Sequence, residues 1–260
     1  MTRVLAVALQ KGGVGKTTTT VNLAASLADL GRKVLVIDLD QQNDSTDCLG
    51  VDLGPDDATM WEVLNLKREL RVPLTSVIKQ SEVAGVDVAP GSLALKELES
   101  GLGPGGQMRL ARQLDEITGY DYVLIDCPPA LGELTTAALA AADDVLTPLS
   151  PGPNEIKGLT RFASTVVEVQ ETLNPDLEIR YLLVAAYDGR TQVSKDIQAA
   201  LRRDWGDWDD GGAYVGPVRH TVRVAEATAA QQPISTFAPG CTADEDYRTI
   251  AKRIVERVEG

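Results

Sequence analysis

The sequence predicts an α/β fold: a doubly wound, mostly parallel β-sheet with helices on both faces. Three observations carry this. Short, nearly continuous apolar runs recur along the chain, as strands covered on both faces require. Helical runs with a wide apolar face separate them. The first apolar run passes through a glycine-rich turn into a helix, and a second follows within about 35 residues, a βαβ unit whose crossover is right-handed.

Val4–Leu9 is the first strand and Thr17–Leu30 the first helix, closed by Gly31. Lys33–Leu39 is the second strand. Between Gln41 and Leu102 the pattern loosens. Short helices are expected at Asp44–Leu49, at Thr59–Leu66 with Thr59 as cap, and at Leu93–Leu98, with a strand at Val86–Ala89. The run Gly101–Gly106 reads as a flexible loop inside the β/α series. Helices follow at Met108–Ile117, Leu134–Ala142, Ile156–Leu173, Val193–Trp205, Val222–Ala230 and Thr242–Val258. Strands are expected at Tyr122–Ile125, Asp144–Leu149, Ile179–Ala186 and Tyr214–Pro217, with Trp205–Gly212 as an exposed acidic turn. The regular alternation favours one domain over residues 1–260.

The composition narrows the function. With 43% hydrophobic residues the chain can bury a substantial core. Its 38 acidic residues against 25 basic ones give a net charge of −13, so any contact with nucleic acid needs a local basic patch. Cys48, Cys127 and Cys241 are too far apart for a zinc site or disulfide framework, and the single His220 rules out histidine clusters. No leader pattern and no membrane-length apolar run is found, so a soluble, cytoplasmic protein is expected.

Chemistry concentrates at three strand ends, the edge where a sheet of this kind binds ligands. The first carries Lys11-Gly12-Gly13-Val14-Gly15-Lys16-Thr17-Thr18. Strand, glycine loop, Lys-Thr and helix is the layout of a phosphate-binding loop. Backbone N–H groups and a helix N-terminus would cradle an anion there. Lys16 would reach the β- and γ-phosphates and Thr17 would hold Mg²⁺. The second end reads Asp38-Leu39-Asp40-Gln41-Gln42, and the third Asp126-Cys127-Pro128-Pro129 after an apolar strand. Asp126 fits a carboxylate that holds Mg²⁺ directly or through water.

The eight-residue loop resembles the deviant Walker A loop of the ParA/MinD ATPases. The resemblance extends to Tyr187-Asp188-Gly189-Arg190-Thr191 and to Val222–Ala227, and spans Arg3 to Val255. It implies a P-loop ATPase with ATP and Mg²⁺ as cofactors and a nucleotide-dependent homodimer. It gives Lys11 the role of crossing to the partner subunit's phosphates, Asp40 that of positioning the attacking water, and Asp38 a place near the Mg²⁺ shell. It further implies non-specific DNA binding by the ATP-bound dimer, a ParB-like or other cargo-adaptor partner that stimulates hydrolysis, nucleoid association, and the short class lacking an N-terminal helix-turn-helix. The DNA candidates are the late cations Arg190, Arg219, Arg223, Arg248 and Lys252. Two departures stand out. The family's Pro-Arg-Asn adenine wall is Arg219-His220-Thr221 here, and a family acid is missing from Ser150–Asn154. A MinD-like membrane regulator is the alternative, but the last helix lacks bulky terminal apolar residues and is expected to pack on the core.

Overall fold

The computed structural model describes residues 2–259. Its eight strands are β1 (Arg3–Val7), β2 (Val34–Asp38), β3 (Lys79–Gln80), β4 (Val86–Ala89), β5 (Tyr122–Asp126), β6 (Asp144–Leu149), β7 (Glu178–Tyr187) and β8 (Tyr214–Arg219). They form a single sheet in the order β3-β4-β2-β5-β1-β6-β7-β8. Every pairing is parallel except β3 with β4 at one edge. The doubly wound fold is therefore present, with a short antiparallel strand that Lys79-Gln80 is too brief to announce.

The helices are α1 (Lys16–Asp29), α2 (Asp44–Cys48), α3 (Met60–Leu64), α4 (Arg109–Leu114), α5 (Glu133–Ala141), α6 (Glu155–Thr172), α7 (Gln192–Trp205), α8 (Val222–Ala229), α9 (Ile234–Phe237) and α10 (Thr242–Glu259). Leu93–Leu98 is helical but wound as 3-10. Side chains alternate across each strand, so the sheet separates two cores. Leu5, Val7, Val34, Val36, Leu124 and Leu183 face one core with α1, α9 and α10. Ala6, Leu35, Ile37, Val123, Ile125 and Val184 face the other with α3 to α7.

Local chemistry sets the element ends. Gly31 sits at φ +79 just past α1, the left-handed position that closes a helix. Thr59 starts α3 with a complete capping box, its hydroxyl taken by the helix and its N–H given to Glu62, an arrangement worth ~1 kcal/mol. One loop expectation holds and one is corrected. The Gly101–Gly106 stretch is a loop inside the β/α series, with Leu102 fully buried in the core. The acidic turn after α7 is not simply exposed, because Trp208 packs against the core and the Arg257 guanidinium lies 3.9 Å from its ring centre.

Register delivers the site. Asp126 of β5 lies between Val7 of β1 and Asp38 of β2. The glycine loop, Asp38 and Asp126 thus leave neighbouring strands at the same edge.

Candidate functional site

The glycine loop runs from the end of β1 into α1. Gly13 (φ +71) and Gly15 (φ +90) hold left-handed conformations that a side chain would strain. Nothing lies within 4 Å of where a Cβ on Gly12 or Gly13 would stand, so the loop is open above. The N-terminus of α1 has no side-chain cap. Its first N–H groups are left for an anion, with the positive end of the helix dipole behind them. Lys16 is buried and its Nζ donates to the Lys11 carbonyl at 2.9 Å, which holds the ammonium inside the loop. Burial lowers its pKa, and Asp126, Cys127 and Asp40 pull in the opposite direction.

Next to the loop stand the carboxylates. Asp126 is fully buried and accepts from Ser45 Oγ at 2.5 Å and Thr20 Oγ1 at 3.3 Å. Burial pushes it up to about 6 against donors from Ser45 and Thr17. Asp40 is half-buried and lines a small cleft with Gly12, Gly13, Lys16, Thr17, Thr18 and Pro129. Its Oδ1 accepts from the Gln42 N–H at 3.1 Å, an Asx turn that fixes the loop where the family proline is absent.

Asp38, expected near the Mg²⁺ shell, stands beside Asp126 at the same strand edge. Its carboxylate is filled by protein donors. Oδ1 takes the Asp40 N–H at 3.1 Å, and Oδ2 takes the Thr46 N–H and hydroxyl at 3.0 and 2.7 Å. A carboxylate occupied in this way braces Asp40 and the start of α2. Burial, then the neighbouring Asp126, push it up to about 8.

These residues fit a magnesium–nucleotide. An uncapped helix start, an open glycine cradle and a buried lysine match a polyphosphate. Asp126, buried beside Lys16 and the Thr17 hydroxyl at the start of α1, is placed to meet a cation. Among the described residues no group of three or more His, Cys, Asp or Glu side chains could hold a metal alone. Mg²⁺ takes one or two protein ligands and completes its shell with phosphate and water. A cavity of about 510 Å³ adjoins the loop, lined by Val14, Ala186, Arg219–Thr221, Val224 and Tyr247, large enough for a nucleoside. Ala186 sits at φ +53, an unfavourable angle for alanine, in its wall. The altered wall is committed within the fold. Arg219 pairs with Asp246 and Glu245, the His220 N–H donates to Tyr187, and Thr221 caps α8.

Lys11 lies outside this cradle. Its side chain is half exposed and its Nζ pairs with Glu155, the first residue of α6. Glu155 supplies an acid to the stretch where the sequence shows none between Ser150 and Asn154. Its carboxylate fills the space beside Gly152, where a Cβ would lie 2.6 Å from Oε1.

The late cations present a different picture. Arg190 pairs with Asp188, Arg223 with Glu226, Arg248 with Asp244 and Asp29, and Arg219 with two acids. Among the candidates, Lys252 alone forms no ion pair with a described residue, and the same holds for exposed Lys195 of α7, on the other face of the sheet. Cys48, Cys127 and Cys241 are unpaired, the first two buried. Burial raises both buried thiols, which are inert packing groups.

Fold and loop together define a P-loop nucleotide-binding protein of the doubly wound class. The comparisons with known proteins narrow that. A family profile described as "AAA domain" matches residues 2–179. An uncharacterized protein of Mycobacterium tuberculosis is 38% identical over 98% of this chain and 79% of its own length. The chromosome partitioning protein ParA of Caulobacter vibrioides is 36% identical over 98% of this chain and 94% of its own. The solved structure of cobyrinic acid a,c-diamide synthase from Mycobacterium smegmatis, with bound ADP and magnesium, superposes with a TM-score of 0.82 at 31% identity, covering 100% and 96% of the two chains. The chain belongs to the ParA/MinD family of deviant Walker A ATPases.

Proposed function

We propose that this chain is a ParA-type ATPase that forms an ATP-sandwich dimer, binds DNA without sequence preference and positions a cargo. One observation carries the reading: an uncapped, open glycine cradle with its own lysine inside, and a second lysine whose amine lies outside it. A plain loop needs one cation. A second one directed away from its own cradle serves a neighbour.

In this reading Lys16 binds the phosphates of its own subunit and Lys11 those of the partner. Thr17 and Asp126 hold Mg²⁺, whose charge offsets that of the phosphate oxygens. Asp40, braced by Asp38, orients the attacking water. Catalysis is then positioning and charge neutralisation. A ParB-like or other adaptor protein accelerates the slow step, and ADP returns the subunits to monomers. The cargo is a plasmid, a chromosome region or a protein assembly, and the protein works on the nucleoid.

DNA contact falls first to Lys252 and Lys195, which have no acid to leave. Arg190 and Arg223 contribute too, since exposed local pairs exchange cheaply for phosphate. Arg219 and Arg248, each held by two acids, contribute least. The packing of the last helix does not favour the membrane alternative. Ile250 and Ile254 of α10 are buried against the core, and no helix of the described residues is long and apolar enough to cross a membrane. The likeness to the Mycobacterium smegmatis diamide synthase favours a second reading, an ATP-driven amide-forming enzyme.

The test is a DNA mobility shift over a salt series with no nucleotide, ADP and ATP. The proposal expects binding with ATP alone, lost steeply with salt. Absence of binding throughout, with ATP consumed only when a small carboxylic acid is supplied, supports the second reading instead.

A further inference from the structure

The pair formed by Lys11 and Glu155 is unequal. The lysine side chain is 49% exposed and the glutamate 1%. Glu155 Oε1 takes the lysine, while Oε2 is buried with no donor. Among the described residues, Lys11 is therefore the only side chain that compensates this buried carboxylate. The geometry around it is permissive. Lys11 opens onto a cleft of about 430 Å³ that Gln10, Asn154, Lys157 and Arg161 also line, so its stem has room to swing.

We propose that Glu155 restrains assembly: it holds Lys11 inside its own subunit, and Lys11 must leave it before reaching a phosphate on a second copy of the chain. This rests on the reading that Lys11 crosses the interface. Departure strips a buried carboxylate of its one donor, and an unpaired buried charge is costly. A partner that offers weak negative charge cannot offset that cost. A triphosphate, one phosphate more anionic than a diphosphate at this end, can. The restraint therefore sharpens the difference between ATP and ADP, and it lowers the apparent affinity of one subunit for another by the fraction of time Lys11 is free. Glu155 acts through Lys11 and is a positioning residue. It touches no nucleotide in this account.

The experiment measures solution mass by sedimentation against concentration of a non-hydrolysable ATP analogue, and separately against ADP. The chains compared are wild type, Lys11→Ala, Glu155→Ala, and Glu155→Ala carrying Gly152→Asp. Removing the acid is expected to lower the midpoint for analogue-driven dimers about fivefold and to give a detectable dimer with ADP. Gly152 is not held at a left-handed angle, so an aspartate fits its backbone, and its carboxylate comes close to the place Glu155 leaves. The double variant is expected to return the midpoint toward wild type. Glu155→Gln, which keeps the shape, replaces Glu155→Ala if a melt shows the alanine variant unfolded, with the same expectation. A midpoint unchanged or raised in the Glu155 variants, while wild type dimerises through Lys11, overturns the restraint alone. If wild type never dimerises, or Lys11→Ala dimerises as well as wild type, the crossing reading fails and the restraint fails with it.

Discussion

Two regions of this molecule are rich in charge, and they use it in opposite ways. Around the glycine loop, charges are buried and left short of partners: Lys16 on a carbonyl, Asp126 beside Asp38, an uncapped helix start. Around β8, α8 and α10, charges are exposed and satisfied by neighbours, as Arg219 is by Asp246 and Glu245. Burying a charge without its counterion costs free energy, so the first region is shaped for a ligand. The second is largely neutralised by the chain itself. A basic residue in sequence is thus weak evidence of a binding surface until its acid neighbours are known.

Asp40→Ala is expected to lower ATP turnover about a thousandfold while leaving ATP binding in place, read by single-turnover hydrolysis beside equilibrium binding. Full turnover would remove Asp40 from the water-positioning role. Lys16→Ala is expected to weaken ATP binding about a hundredfold, as loss of charge-assisted bonds to phosphate should; calorimetric titration measures this. Ser45→Ala removes the 2.5 Å bond to Asp126 and is expected to weaken the magnesium dependence of ATP binding about tenfold.

The buried carboxylates give a pH signature. Asp38 and Asp126 both sit above the ordinary carboxylate range in the folded state. Such groups favour folding while protonated, and that contribution is lost as pH rises from about 4 towards about 8. The nucleotide-free protein is therefore expected to lose a few degrees of melting temperature between the acid and alkaline ends of that window. Magnesium with nucleotide should restore most at the alkaline end. A melting temperature that climbs steadily through the window would contradict this. Smallest of all, Lys252→Ala should reduce the slope of log DNA affinity against log salt by about 0.9, whereas Arg219→Ala should leave the slope nearly unchanged. The reverse ranking would mean that the paired arginines are the DNA surface after all.

The sequence made the fold and half of the site legible. Continuous apolar runs between helical runs located seven of the eight strands, because parallel strands buried on both faces have no other composition available. The glycine loop, Lys16 and Asp126 were readable because their spacing is tied to backbone geometry. What was not readable depends on side-chain direction. Asp38 and Asp40 were told apart in the strand-end motif, but not what holds Asp38: α2 presents Thr46 to it, while Asp40 lines the cleft. Ser45 and Thr46 were missed since hydroxyls at the start of a short helix carry no distinctive pattern. Glu155 was missed because the acid arrives from the first turn of α6, a few residues after the place where the motif would put it. Trp208 was assigned to an exposed turn because its partner Arg257 lies far away in sequence.

If each nucleotide site is completed by the other subunit, two chains with different defects restore one another when mixed. Lys16→Ala lacks the lysine of its own cradle, and Lys11→Ala lacks the one it would lend. Each alone should be inactive. An equimolar mixture should recover roughly a quarter of the wild-type ATPase rate per chain, since random pairing makes half of the dimers mixed and each mixed dimer holds one complete site. A mixture no more active than its two components would contradict the shared site.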